Sequence, residues 1–199
     1  MRPREFDHDD VLRIAFEQFW RKGVRGTSLS DIARDAGVQR GSLYNAFGSK
    51  EALFLCAYER YASKYLSALQ KALNSGTLRE RLTAFFDVTI KNFRSGSPPR
   101  GCPTTRGLME LASGAGEGLD ENARQAFADL VARATALIQE ALSEGKKRGE
   151  FRGTPEVAAL HIATVTRGLA VLERAFGDEA QLRTIAAHTI DLILGKEIR

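Results

Sequence analysis

The chain has 199 residues, of which 43% are hydrophobic and 27% are charged. This composition is typical of a folded globular protein and excludes a disordered chain. The net charge is only +4, and the longest apolar run, Ala52 to Tyr58, is far shorter than the roughly 20 residues of a membrane-spanning helix.

The N-terminal part of the chain predicts short helices. The first ten residues have no apolar signal-peptide core, so we expect a cytoplasmic protein. Asp7 is a typical helix N-cap, and apolar residues then recur at helical spacing as far as Gly23. Ser28 and Asp31 have the spacing of a capping box for a second helix, which ends at Gly37, a residue that readily adopts a left-handed turn.

A third, very short helix is predicted over Gly41 to Phe47. Leu43 and Phe47 lie four residues apart and therefore pack inward on one face, which leaves Ser42, Tyr44 and Asn45 facing outward. A helix of this length is not stable alone, because helix nucleation is costly. Its polar outer face is therefore better explained by contact with a partner than by stability.

Six further helices are predicted along the rest of the chain. Capping residues or a proline in the first turn mark their starts, and the segment 113–118, SGAGEG, ends the sixth helix. Their approximate ranges are 50–74, 77–94, 102–112, 120–147, 154–176 and 178–194. No segment has the alternation of a convincing strand, so the predicted fold class is all-α with nine helices.

Two short helices joined by Ala36-Gly37-Val38 have the helix-turn-helix pattern. Arginine, asparagine, glutamine and serine bond base edges in the major groove, while hydroxyls, free amides and cations at helix starts bind phosphates. From Arg21 to Lys50 there are six basic and two acidic residues, a local positive excess. The candidate DNA-binding residues are Arg4, Thr27, Ser28, Gln39, Arg40, Gly41, Ser42, Tyr44, Asn45 and Lys50.

Other functions are compatible with parts of this pattern. A short capped helix between two glycines also occurs as a plain connector in a helical bundle. An enzyme is less well supported, because His8, His161 and His188 are scattered, HExxH is absent and SGAGEG lacks the spacing of a dinucleotide-binding loop. The two cysteines, Cys56 and Cys102, lack the CxxC spacing of a zinc site, so no metal or cofactor is expected.

The stretch from Thr27 to Phe54, TSLSDIARDAGVQRGSLYNAFGSKEALF, resembles the DNA-binding signature of the TetR/AcrR family of bacterial transcription regulators. The resemblance implies a helix-turn-helix DNA-binding domain over residues 1–49 and a helical effector-binding and dimerisation domain over residues 50–199. It also implies a homodimeric repressor that binds a near-palindromic operator and releases it when a small molecule binds. An activator, or a DNA-binding protein without an effector, is the alternative.

Two positions depart from the family pattern. Gln39 stands where serine or threonine often caps the recognition helix, and Asn45-Ala46 replaces the aromatic residue and histidine common before the phenylalanine. The operator sequence therefore cannot be taken over from the family.

The second half of the chain offers candidates for an effector site. Aromatic and sulfur-containing residues at helical spacing line an apolar pocket in this hypothesis, although core packing explains the same spacing. The candidates are Tyr61, Tyr65, Phe86, Cys102 and Met109.

Cys102 lies at a predicted helix start between Arg100 and Arg106, conditions that favour the thiolate. Some TetR-like regulators that sense electrophiles or oxidants resemble this chain in having a glycine-cysteine pair at the same helix start. We therefore expect Cys102 to lie near the effector site as a candidate sensor. The alternative is a small residue ahead of a proline.

The last two helices carry apolar stripes wide enough for both a core and a partner subunit. The predicted dimer is isologous, and its two recognition helices are expected about 34–36 Å apart, the spacing of successive major grooves. The stripe residues are Leu160, Ala163, Val165, Leu169, Leu172, Leu182, Ile185, Ala186, Thr189 and Ile193.

Overall fold

The computed structural model describes residues 7–96, 99, 101–112 and 119–195. Within these residues the chain forms nine helices and no strand, which confirms the predicted all-α class. The helices are α1 His8–Lys22, α2 Leu29–Asp35, α3 Arg40–Phe47, α4 Lys50–Ala72, α5 Leu78–Phe93, α6 Pro103–Ala112, α7 Glu121–Lys147, α8 Pro155–Phe176 and α9 Glu179–Leu194. Arg4, Arg100 and the segment 113–118 lie outside the described residues.

Side-chain caps determine where several of these helices begin. The carboxylate of Asp7 accepts hydrogen bonds from backbone amides in the first turn of α1. Thr77 and Glu80 form a complete, reciprocal capping box at the start of α5. At α2 the hydroxyl of Ser28 accepts from the amide of Asp31 at 3.1 Å and donates to its carboxylate at 2.8 Å. The hydrogen bond from Ser28 is the main reason that the pKa of Asp31 is lowered.

The chain divides into two compact units. The first comprises residues 1–64 and 107–127, and the second comprises residues 65–106 and 128–199. The helix-turn-helix segment therefore belongs to the first unit. The functional boundary expected after residue 49 stays a prediction.

Aromatic side chains build much of the core of the first unit. The rings of Phe19 and Phe54 meet edge to face with centroids 5.3 Å apart, and those of Tyr58 and Phe127 do so at 4.8 Å. A Cβ atom at Gly107 would lie 2.4 Å from the Phe127 ring, so glycine is required for this contact. These contacts join α1, α4, α6 and the N-terminal part of α7 within the first unit.

The core of the second unit is lined by one face of α5, where Leu82, Phe85, Phe86, Ile90 and Phe93 are buried. Ion pairs join helices at its margins. Arg81 of α5 pairs with Glu144 of α7 at 2.8 Å. Arg94 reaches the fully buried carboxylate of Glu173 in α8 at 3.2 Å.

Neither a membrane span nor a metal centre is present in the described part of the chain. No helix there is both long and apolar enough to cross a membrane. The same residues contain no group of three or more histidine, cysteine or acidic side chains that could hold a metal ion.

Candidate nucleic-acid interface and thiol site

The short helix α3 is fixed by two apolar anchors. Leu43 is 1% exposed. Phe47 is half-buried and its ring centroid lies 5.6 Å from that of His8, at the start of α1. Gly48, with a φ of +79°, ends the helix, and its amide donates to the carbonyl of Tyr44 at 2.8 Å. Packing therefore holds in place a helix that is too short to persist alone.

The opposite face of α3 carries polar groups toward solvent. Tyr44 is 63% exposed, Asn45 and Arg40 are exposed, and Ser42 is half-buried. Gln39 occupies the N-cap position, but its side chain makes no capping hydrogen bond. The amide and guanidinium donors on this face are therefore directed outward, as the spacing predicts.

An added Cβ atom at Gly41, in the first turn of α3, would meet no atom within 4 Å. The protein itself therefore gives no steric reason for glycine at this position. A glycine inside a helix lowers its stability by about 1 kcal/mol relative to alanine. Its presence on the exposed face is compatible with close approach of a partner.

The predicted phosphate-binding residues differ in their accessibility. Thr27 is 2% exposed, and its hydroxyl donates to the carbonyl of Gly23 at 2.8 Å. This burial is at odds with the predicted phosphate contact, because the hydroxyl holds the turn between α1 and α2. Ser28 is exposed as the cap of α2, and Lys50 is half-buried in the first turn of α4.

Three of the predicted effector residues differ in their exposure and in their contacts. In the first unit, Tyr61 stacks on Phe16 with centroids 4.7 Å apart, and Met109 is 60% exposed. In the second unit, Phe86 is 2% exposed and meets Phe85 edge to face. Their role in lining an effector pocket stays a prediction.

Tyr65 and Cys102 belong to the second unit. The buried hydroxyl of Tyr65 lies 3.0 Å from the hydroxyl of Thr89. Burial raises the pKa of Tyr65 to about 12, against the smaller opposing effect of the hydrogen bond with Thr89. Cys102 and Arg167 also act electrostatically on the Tyr65 hydroxyl, so the three groups share one environment.

Two hydrogen-bond donors face the sulfur of Cys102. This residue is 6% exposed and directly precedes α6, so its Sγ atom accepts from the backbone amide of Thr105 at 3.5 Å. Nη1 of Arg167, in α8, lies 3.5 Å from the same sulfur and 3.4 Å from Oγ1 of Thr105. A helix N-terminus and a guanidinium both stabilise negative charge on sulfur.

Arg167 is the residue at this site that the sequence did not reveal. The arginines expected to flank the sulfur were Arg100 and Arg106, whereas Arg167 reaches it from 65 positions further along the chain. Local spacing gives no signal for this contact, because the contact depends on how α8 packs in the second unit.

Cys56 provides a contrast within the same chain. It lies on α4 in the first unit and is exposed. Partial desolvation and the nearby carboxylate of Glu59 raise the pKa of its thiol. Cys56 therefore lacks the environment that favours a reactive thiolate.

Both parts of the chain match known family models. Residues 11–57 match the model described as bacterial regulatory proteins, tetR family. Residues 79–189 match the model described as tetracyclin repressor-like, C-terminal domain.

Similar proteins are transcriptional regulators. The HTH-type transcriptional repressor ComR of Escherichia coli K12 is 26% identical over 198 residues, which cover 96% of this chain and 90% of ComR. The repressor NemR of the same strain is 30% identical over 146 residues, which cover 72% of this chain and 71% of NemR.

Two solved structures extend these similarities. The reduced form of E. coli NemR has a TM-score of 0.84 at 25% identity, covering 96% of this chain and 98% of NemR. A cysteine mutant of the TetR family regulator CifR, complexed with a 26-base-pair double-strand operator, has a TM-score of 0.81 at 26% identity, covering 97% of this chain and 100% of CifR.

Proposed function

The chain belongs to the TetR family of bacterial regulatory proteins, and on that premise we propose that it is a homodimeric transcriptional repressor released from a near-palindromic operator by a small reactive molecule. The observation that carries the DNA-binding part is the polar face of α3, held outward by the buried Leu43. A repressor of this kind acts in the cytoplasm, where the bacterial chromosome is accessible.

In this proposal α3 lies in the major groove. The guanidinium of Arg40 suits guanine, and the amides of Gln39 and Asn45 suit adenine. Ser28 and Lys50 bind backbone phosphates and set the orientation of the helix without reading sequence. The CifR complex with double-strand operator DNA supports operator binding by this chain, because CifR has a similar fold.

The dimer contact is proposed on the exposed apolar side of α8 and α9. Val157, Leu160 and Val171 of α8 are 64%, 62% and 45% exposed, and Leu192 of α9 is 66% exposed. These side chains are large for a solvent-facing surface, and burying them against a second copy gives a hydrophobic gain. A Cβ atom at Gly168 on α8 would meet nothing within 4 Å, so a partner helix can approach closely there.

The effector response is proposed at Cys102. Its sulfur faces the amide of Thr105 and the guanidinium of Arg167. A response at cysteine is compatible with two similar regulators, since the NemR structure is of a reduced form and the CifR structure carries substitutions of its cysteines. We expect an oxidant or electrophile that modifies Cys102 to weaken operator binding.

The test begins with selection of bound sequences from a random DNA pool. Fluorescence anisotropy then measures the affinity for the selected operator before and after treatment with hydrogen peroxide or N-ethylmaleimide. We expect a near-palindromic site, release by one reagent, and loss of that release in the Cys102→Ser variant. Release that persists in Cys102→Ser would refute the thiol response.

Footprinting on the native promoter separates repression from activation. A protected DNA segment that overlaps the binding site of RNA polymerase supports a repressor. A protected segment that lies only upstream of that site supports an activator. Binding that no small molecule alters would favour a regulator without an effector.

A further inference from the structure

Arg167 is the guanidinium that faces the sulfur of Cys102. Its Nη1 atom contacts this sulfur and the hydroxyl of Thr105, and its Nε–H is buried with no hydrogen-bond acceptor in the part of the chain that the structure describes. Among the described residues, no carboxylate forms an ion pair with it, although arginine at a partly buried site normally has one. A buried donor without an acceptor costs free energy, and an acceptor bound at this site would remove that cost.

We propose that Arg167 is the positioning residue of the Cys102 response: it faces the sulfur during attack on a small hydroperoxide and then binds the oxygen that the sulfur gains. This inference rests on the proposed role of Cys102 as the responding thiol.

The reaction is a two-electron oxidation of sulfur. The Cys102 thiolate attacks the terminal oxygen of the hydroperoxide, an S–O bond forms and the O–O bond breaks. The released alkoxide, or hydroxide from hydrogen peroxide, takes up a proton and leaves as alcohol or water. Cys102 becomes a sulfenic acid, and its ionised form accepts a hydrogen bond from Nε–H of Arg167.

The surroundings of the sulfur favour a small oxidant over a carbon electrophile. Cys102 is only 6% exposed, so a bulky reagent has little access to it. A carbon adduct would also replace the thiolate by a neutral thioether, which leaves Arg167 without an anion. An oxygen on sulfur adds a single atom and preserves the negative charge beside the guanidinium.

Arg167 and the N-terminal turn of α6 act together in this arrangement. The Thr105 amide and Nη1 of Arg167 are each 3.5 Å from the sulfur. A hydrogen bond to a charged group stabilises it more than a bond between neutral groups. Loss of the guanidinium removes one of the two donors that face the sulfur and therefore slows the attack on peroxide.

The test measures the rate of Cys102 oxidation by hydrogen peroxide in full-length protein carrying Cys56→Ser. Catalase stops the reaction, and remaining thiols are counted by mass spectrometry after denaturation and alkylation, so burial does not affect the count. We expect Arg167→Gln to slow oxidation about tenfold or more.

Two matched variants define the role of the guanidinium. Arg167→Lys keeps the positive charge without the planar fork, and we expect it to recover part of the rate. Arg133→Gln removes an exposed arginine from α7, and we expect it to leave the rate unchanged. A merely structural role of Arg167 would not produce a rate of oxidation that lysine partly restores and glutamine does not.

An Arg167→Gln variant that folds and keeps the parental rate would overturn the inference. If that variant does not fold, the more conservative Arg167→Lys takes its place, and a rate equal to or above that of the parent would overturn the inference. Faster modification by N-ethylmaleimide than by peroxide, with no dependence on Arg167, would also overturn it. Oxidation that depends on Arg167 but does not release the operator would refute the proposed function instead.

Discussion

Leu43 and Tyr44 are adjacent in α3, yet Leu43 is 1% exposed and Tyr44 is 63% exposed. Successive residues of a helix point about 100° apart, so one turn can hold an anchor and a contact residue side by side. The anchor determines the position of the helix, and the neighbouring residues determine what it binds. The two roles can therefore be separated by substitution.

Leu43→Ala is expected to lower the free energy of unfolding by about 2–5 kcal/mol, because it leaves a cavity where a buried leucine held α3. Operator binding is expected to fall with it. Tyr44→Ala is the matched control, with a change of unfolding free energy within about 0.5 kcal/mol and weaker DNA binding. Urea unfolding and anisotropy measure the two effects. Equal losses of stability in both variants would contradict this division.

Asn45→Ala is expected to cost about 1–3 kcal/mol of operator affinity and to relax the preference for one base pair. Asn45 is exposed on the outer face of α3, where its amide can bond a base edge. Lys50→Ala is expected to weaken binding to all DNA sequences alike. It is also expected to reduce the salt dependence of DNA binding by the equivalent of about one phosphate contact. A uniform loss for Asn45→Ala across a library of single-base operator variants would refute the base contact.

Much of the fold follows from local sequence signals. The Thr77–Glu80 capping box, the Asp7 cap and Gly37 in a left-handed conformation all lie where residue types and spacing predict them. Such signals act within a few residues, so one sequence is sufficient to locate them. The buried position of Leu43 follows equally from its spacing to Phe47.

Contacts between distant segments could not be obtained in this way. A hydroxyl ahead of a helix can bind phosphate or close a turn, and only packing shows that Thr27 does the latter. The contact of Arg167 with Cys102 depends on how α8 packs in the second unit. Local spacing contains no information on either contact.

Leu160→Glu is expected to shift the protein from dimer to monomer, because it places a charge within the proposed apolar contact of α8. Leu160 is 62% exposed, so the substitution should not disturb the fold of the single chain. Ala136→Glu, at an exposed position of α7, is the control and should remain dimeric. Sedimentation at micromolar concentration measures the states. If both variants remain dimers, this surface is not the dimer contact.

Tyr65→Phe is expected to change how stability depends on alkaline pH. The pKa of Tyr65 is about 12 in the folded protein, and burial is the main reason that it lies above the ordinary tyrosine value of 10.0. The unfolded chain therefore loses this proton first, and stability falls as pH rises from about 10 to about 12. The loss is about 3 kcal/mol when complete, since each pKa unit corresponds to about 1.4 kcal/mol.

Phenylalanine at position 65 has no proton to lose, so the variant lacks this part of the alkaline decline. At pH 8 it is expected to be less stable than the parent by about 1–3 kcal/mol, because the buried hydroxyl of Thr89 loses its partner. The two stabilities should therefore converge or cross as pH approaches 12. Urea unfolding at pH 8 to 11.5 measures the difference, with Tyr44→Phe as the exposed control. Parallel curves for Tyr65→Phe and the parent would show that the Tyr65 hydroxyl ionises alike in the folded and unfolded chains.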